Sequence, residues 1–237
     1  MKNTTVKAEL VLGLDIGDKK THFAVLDVDG ELVEQGVVAT TPEAFTQTFG
    51  RFSEVTMTLE VGPHSLWASQ LLSELGHLVY VANPRQLKLI YGSTDKDDKL
   101  DAERLARLTR LDSKLLEPVM HRSDEAQADL EVLKARDILV RMRTKMINHV
   151  RGVLKSFGIK VKCGSTESFP AKALEVVPVI LRSSVIPLIE AIEEIASRIK
   201  RIDKDVLELC RTKYKRESAV VQQVNGVGPI VGLNFIL

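Results

Sequence analysis

Residues 9–16, Glu-Leu-Val-Leu-Gly-Leu-Asp-Ile, form a nearly continuous apolar run interrupted by one acid, Asp15. Such a run reads as a central strand covered on both faces, so the chain must build layers on either side of a sheet. An ionised carboxylate in the middle of such a buried strand is costly unless it is paired or bound to a cation. Lys19 and Lys20 are the nearby candidates for pairing.

The next segments extend the sheet. Residues 22–28 and 31–39 are strand-like and flank Asp29-Gly30, which predicts a tight two-residue hairpin because glycine accepts the positive φ of such a turn. Thr41 can cap a helix with Pro42 in its first turn and Phe45 and Phe49 one turn apart. Residues 54–61 read as a fourth strand, 64–75 as a helix ended by Gly76, 78–82 as a fifth strand and 85–91 as a helix. The order β-β-β-α-β-α-β-α is that of the ribonuclease-H-like fold, an order that several activities share.

Beyond residue 99 the pattern turns helical. Leu100, Leu105 and Leu108 mark one face of a first helix. Residues 123–157 predict a long helix with Ser123 as N-cap, Asp124 and Glu125 in the first turn and Gly158 past the end. Leu139, Met142, Met146, Val150, Val153 and Phe157 make its apolar stripe. A further helix over 185–214 carries Leu188, Ile192, Ile195, Ile199, Ile202, Val206 and Leu209, a heptad pattern that suits an intramolecular hairpin or a pairing of subunits, the hairpin being preferred. Expected domains are 1–118 (α/β), 119–216 (helical coiled coil, nucleic-acid-binding) and 217–237, the start of a domain that reads as cut short because the sequence stops at Leu237 in an apolar run.

Net charge is +1, but residues 1–120 hold 13 basic and 18 acidic side chains, and 121–237 hold 20 and 14. An acidic half joined to a basic half suits a carboxylate site beside a polyanion-binding surface. Cys163 and Cys210, 47 positions apart, read as free thiols of a cytoplasmic protein. Neither a signal peptide nor a membrane-spanning apolar run is visible.

Three acidic positions complete a candidate site with Asp15. Glu60 ends the fourth strand before Gly62-Pro63, and Asp98 and Asp101 are three apart at a helix start, on one face. Close carboxylates repel, and a divalent cation relieves that repulsion. In this topology the four meet at one sheet edge, where they would hold two Mg²⁺ ions for phosphodiester chemistry, with Mn²⁺ able to substitute. The bland alternatives are capping acids and, with Asp95 and Asp97, a solvated acidic cluster.

Gly-Leu-Asp-Ile-Gly around Asp15, Thr-Leu-Glu-Val-Gly around Glu60, and Lys96, Asp98, Asp101 and Ala102 resemble the blocks of the DEDD insertion-sequence transposases, relatives of the pilin-gene-inverting recombinases. The third block departs from the usual Lys-Thr-Asp-Arg-x-Asp-Ala at Asp97 and Lys99. Arg143-Thr144, Asn148, Leu154 and Gly158 resemble that family's basic helix, and Gly226-Val227-Gly228-Pro229 the opening of its carboxy-terminal domain, with Asn225 where proline is usual. The resemblance implies a RuvC-like domain that binds Mg²⁺, a coiled coil, a second catalytic domain whose nucleophilic serine nothing here matches, DNA as substrate, a structured guide RNA and an oligomeric state.

Between Lys134 and Lys162 stand nine basic residues and one acid. Arg136, Arg143, Lys145, Arg151 and Lys155 are the expected phosphate contacts, with Gly226 and Gly228 offering backbone amides. His64 either approaches the metal site or caps the next helix. Two rivals compete. The hairpin after Asp15 also resembles the first phosphate loop of actin-like-fold sugar kinases, although the chain has no second phosphate block. A non-catalytic fragment that only binds nucleic acid or oligomerises is the other.

Overall fold

The computed structural model describes residues 10–83, 85 and 98–237, in two compact units, Met1–His121 and Arg122–Leu237. Most of the expected helix over 85–91 lies outside the described residues, as do Asp95 and Asp97.

The first unit is built on five strands: β1 (Val11–Ile16), β2 (Lys20–Leu26), β3 (Leu32–Ala39), β4 (Thr56–Glu60) and β5 (Leu78–Ala82). They stand in the order β3-β2-β1-β4-β5. The first three form an antiparallel meander, while β4 and β5 run parallel to β1. This mixed α/β sheet followed by long helices is compatible with a ribonuclease-H-like layout.

One face of the sheet carries α1 (Pro42–Phe49) and α2 (Ser65–Glu74). Leu12, Leu14, Phe23, Met57 and Leu59 from the strands meet Phe45, Phe49, Ala68 and Leu72 in a single core. The Phe45, Phe49 and Trp67 rings contact edge-on or tilted at 5.0–5.1 Å, a geometry favoured by their quadrupoles. Thr41 caps α1 as expected, accepting a hydrogen bond from the Ala44 amide, and Gly76 takes φ +91° after α2.

The other face carries α3 (Asp98–Asp112). Here glycine is required. A Cβ on Gly13 of β1 would lie 2.0 Å from the Ala102 carbonyl oxygen and 2.5 Å from the Ala106 nitrogen. Gly13, Ala102 and Ala106 are the small residues that let helix and strand backbones approach. Leu105 and Leu108 are buried as expected, whereas Leu100, in the first turn, is exposed.

The β2–β3 connection differs from the expected two-residue turn. It is closed by the Asp27 amide donating to the Glu31 carbonyl at 3.0 Å, which leaves three residues, 28–30, in the loop, and the Asp27 carboxylate accepts hydrogen bonds from the Asp29 and Glu31 amides (both 2.9 Å). Gly30 does adopt positive φ, +83°. Asp15 also departs from expectation. It is the fifth of six strand residues and half-buried, near the strand's carboxyl end yet still paired with His22 of β2, not in the strand's middle.

The second unit is helical. α4 (Asp124–Ser156) is capped by Ser123 and ends before Gly158 at φ +74°; α5 is Phe169–Leu174, α6 Arg182–Arg211, α7 Lys215–Val221 and α8 Pro229–Ile236. Near one end of α4, Ile147, Val150 and Leu154 pack with Val185, Ile189 and Ile192. Near its other end, Leu133 packs with Val206 and Cys210. Residue numbers rise on one helix as they fall on the other, so α4 and α6 form an antiparallel pair within the chain.

The heptad on α6 divides cleanly. Val185, Ile192, Ile199 and Val206, seven apart, are buried, and Leu188, Ile195, Ile202 and Leu209 are half-buried. The apolar stripe expected on α4 is shifted: Met142 and Phe157 are exposed, and Ile147 and Leu154 do the packing. Val150 belongs to both stripes, and Met146 and Val153 of the expected one pack half-buried against the same core, so the partner helix shifts the stripe without replacing it. Leu233 and Leu237 pack against Leu133, Val206 and Cys210, while Val231 and Phe235 are exposed.

Candidate active site

The register of the parallel strands sets the site. Leu14 pairs with Leu59, so the next residues, Asp15 and Glu60, stand side by side at the carboxyl ends of the two central strands. Both are half-buried. Because side chains alternate, Leu14 and Leu59 face the α1–α2 core and Asp15 and Glu60 face the side that α3 covers. Carboxyl ends of parallel strands are where open α/β sheets place ligands.

The covering helix is fixed in register too. Thr109 of α3 donates to the Leu105 carbonyl and shares a 2.6 Å hydrogen bond with buried Thr58, two residues before Glu60. Val11 packs on Ala106, and Gly13 meets Ala102. Following β1 toward Asp15 therefore leads toward the first turn of α3, which contains Asp98 and Asp101.

Asp101, partly exposed, accepts a 3.0 Å hydrogen bond from Arg104 Nη1. The Asp98 backbone begins α3, but its side chain lies outside the described residues. Among the described residues no group of three or more His, Cys, Asp or Glu is close enough to hold a metal ion. The pair Asp15–Glu60 is what the fold places directly. As an oxygen-only donor set at a half-buried sheet end, it fits a hard divalent cation such as Mg²⁺.

Sequence reasoning left the rim of this edge open. His64 occupies the N-cap position of α2 without capping it through its side chain. Its Nδ1 accepts from Trp67 Nε1 at 3.1 Å, and its Nε2 lies 3.6 Å from Asp18 in the β1–β2 turn. The i, i+3 spacing of His64 and Trp67 was the available signal. Ser65 closes the neighbouring turn, donating to the Gly62 carbonyl and accepting from its amide.

The expected phosphate-binding cations separate into two sets. Arg136 pairs with Asp203 across the α4–α6 hairpin, and Arg143, mostly buried, faces Glu167 at 3.5 Å. Lys145, Arg151 and Lys155 are exposed. The sequence could not separate these sets, since the acids concerned come from other elements. Gly226 adopts φ +86° in the turn between α7 and α8, and Gly228 is the N-cap of α8.

Residues 12–159 match the family model described as Transposase, the DEDD type of the IS110 group, and the matched stretch contains all four carboxylates. The chain belongs to the DEDD transposase family. It is 30% identical to the "Probable family 20 transposase" of Pseudomonas aeruginosa, over 71% of this chain and 50% of that protein. It is 24% identical to the transposase for insertion sequence element IS1111A of Coxiella burnetii, over 98% of this chain and 64% of that protein. It is 25% identical to the transposase for insertion sequence element IS1328 of Yersinia enterocolitica, over 65% of this chain and 45% of that protein. The chain thus spans about half to two-thirds of the length of these relatives. The DEDD transposase match includes the Asp15 hairpin on which the sugar-kinase alternative rested, and replaces it. No helix among the described residues is long and apolar enough to cross a membrane.

Proposed function

We propose that this chain is the metal-dependent portion of a DNA transposase, with a RuvC-like catalytic domain over 1–118, a coiled-coil nucleic-acid-binding region over 119–216 and the start of a second catalytic domain over 217–237. Asp15, Glu60, Asp98 and Asp101 would hold Mg²⁺, two ions in the full site, with Mn²⁺ as a substitute. When bound, the metal supplies charge neutralisation and activation of an oxygen nucleophile at a DNA phosphodiester. The chain's own groups do the rest. Asp15 and Glu60 present their carboxylates from hydrogen-bonded strand ends, and α3, seated on Gly13, brings Asp98 and Asp101 toward that edge. Arg136, Arg143, Lys145, Arg151 and Lys155, with the backbone amides of Gly226 and Gly228, would hold the phosphate backbone. A structured guide RNA and further copies of the chain are the proposed partners, in the cytoplasm.

The observation that carries this reading is the side-by-side placement of Asp15 and Glu60 at adjacent parallel strand ends. Its test is nicking of supercoiled plasmid by the chain with and without Mg²⁺, beside Asp15→Asn and Glu60→Gln. Metal-dependent nicking that both variants lose is expected. Nicking that survives both substitutions contradicts it. A second reading, a binding module without chemistry, is supported by the exposed cations Lys145, Arg151 and Lys155; retained DNA binding with no nicking under any divalent cation would select it.

A further inference from the structure

A second concave site lies in the helical unit, where α4 ends. Gly158 turns the chain at φ +74° and the Ile159 amide returns to the Leu154 carbonyl at 3.0 Å, so residues 159–164 fold back along the helix end. The turn encloses a cleft of about 750 Å³ with Arg151, Lys155 and Lys160 on its walls. Ile159 and Val161, packed against the unit's core, give it an apolar floor. Gly164 completes the far wall, where Lys172 Nζ donates to the Cys163 carbonyl at 2.8 Å and holds the segment in place.

The charge of this cleft is uncompensated. Among the described residues no carboxylate lies within 4.0 Å of Arg151, Lys155 or Lys160, in contrast to Arg136 and Arg143. Between Lys155 and Glu175 the sequence holds one acid, Glu167, and it is turned to Arg143 and Thr166. The Arg151 guanidinium carbon sits 5.1 Å from the centre of the Phe169 ring, which steadies the side chain without neutralising it.

Shape decides which polyanion fits. Duplex phosphates lie on a convex rod and need cations on an open face, with no apolar floor. An unpaired nucleotide has both a charged phosphate and a flat, weakly polar base that must leave water, and proteins read such nucleotides in pockets that combine the two. The volume is within the range of small-ligand pockets and accommodates one nucleotide. We propose that this cleft binds an unpaired nucleotide of a nucleic-acid strand, its phosphate on Arg151, Lys155 and Lys160 and its base or sugar against Ile159 and Val161. The proposal rests on the nucleic-acid reading above and adds a strand-type-specific site to it.

The test is fluorescence anisotropy on the whole chain, with labelled single-stranded DNA and RNA oligonucleotides and a duplex of the same sequence. Wild type is compared with the Lys155→Gln, Lys160→Gln double variant and, separately, Val161→Ser. Single-strand affinity should fall about tenfold in the double variant, as expected for losing two phosphate contacts. It should fall more modestly in Val161→Ser. Duplex affinity, to which Lys155 also contributes, should fall less than single-strand affinity in the double variant and change little in Val161→Ser. RNA and DNA arms identify which strand is preferred. Equal losses for single strand and duplex would reduce the cleft to a general electrostatic face and overturn the proposal. So would unchanged single-strand binding in variants whose circular dichroism shows an intact helical unit, or an absence of single-strand binding by wild type. None of these results touches the Mg²⁺-dependent nicking assigned to Asp15 and Glu60, so the two readings fail separately.

Discussion

Asp15 and Glu60 in the sheet unit are placed by backbone hydrogen bonds in a strand register, whereas Arg136, Arg143, Lys145, Arg151 and Lys155 in the helical unit are placed by side-chain packing along one helix. A strand register admits a residue on one face or the other and little between. A helix surface is broader, and the acids of α6 and of the segment before α5 determine which cations stay available. Rigid backbone placement suits the proposed sharing of a small ion by these acids; exposed helical cations suit the proposed binding of a long, sequence-tolerant polyanion.

Deleting core volume should have the largest effect. Ile192→Ala removes a fully buried side chain from the α6 spine and should cost about 4 kcal/mol, read by urea unfolding followed at a helical signal. Gly13→Ala tests the sheet unit by the opposite route. Its Cβ would strike α3 backbone, which cannot rotate away as a side chain can, and about 3 kcal/mol of destabilisation is expected. A Gly13→Ala chain as stable as wild type would show that α3 is not seated on β1 as described.

Acid titration separates the two units. In the sheet unit, burial pushes His77 below the ordinary histidine value of 6.5, against a smaller upward effect of its hydrogen bond to the Phe49 carbonyl. The folded state therefore favours neutral His77. Its stabilisation is present above pH 6.5 and is lost as pH falls from there through the lowered native value, where the unfolded chain binds the extra proton. In the helical unit, burial pushes the Asp129 carboxyl up, but hydrogen bonds from Lys213 and Tyr214 outweigh it and hold the group below its ordinary 3.8. That stabilisation is present above the ordinary carboxylate value and disappears only as pH falls through the depressed native one. Thermal melts against pH should show His77→Gln flattening the near-neutral limb, and Tyr214→Phe altering the strongly acidic limb. Exchange of those two effects would break the distinction.

The smallest expected effect is at Arg136–Asp203. A double-mutant cycle with Arg136→Met and Asp203→Asn should give a coupling of about 0.5–1 kcal/mol, since both partners remain partly solvated. A larger coupling would mean that the hairpin depends on this ion pair more than on its apolar spine.

Much of this was legible in the sequence because local and global signals agreed. The Thr41 and Ser123 caps, the Gly76 and Gly158 stops, β5 over 78–82 and the α6 heptad all stand where periodicity placed them. The misreadings arose where a distant or competing group decided. The Asp27 side chain accepts from two amides of the longer β2–β3 turn, and the α6 partner picked Ile147 and Leu154 over Met142 and Phe157. The adjacency of Asp15 and Glu60 depends on strand order, since 45 positions separate them in sequence. The cleft at residues 151–164 was signalled only by Lys160 and Lys162 after a helix-ending glycine, a pattern that does not specify a concavity.

The placement of a divalent cation at the Asp15–Glu60 edge is tested most directly by calorimetric titration of Mn²⁺ into the purified chain, without nucleotide or nucleic acid, beside Asp15→Asn and Glu60→Gln. Saturable binding in wild type that each substitution abolishes, with secondary structure unchanged, is the predicted result. Saturable binding that persists unaltered in both variants would contradict it and place the cation on other residues.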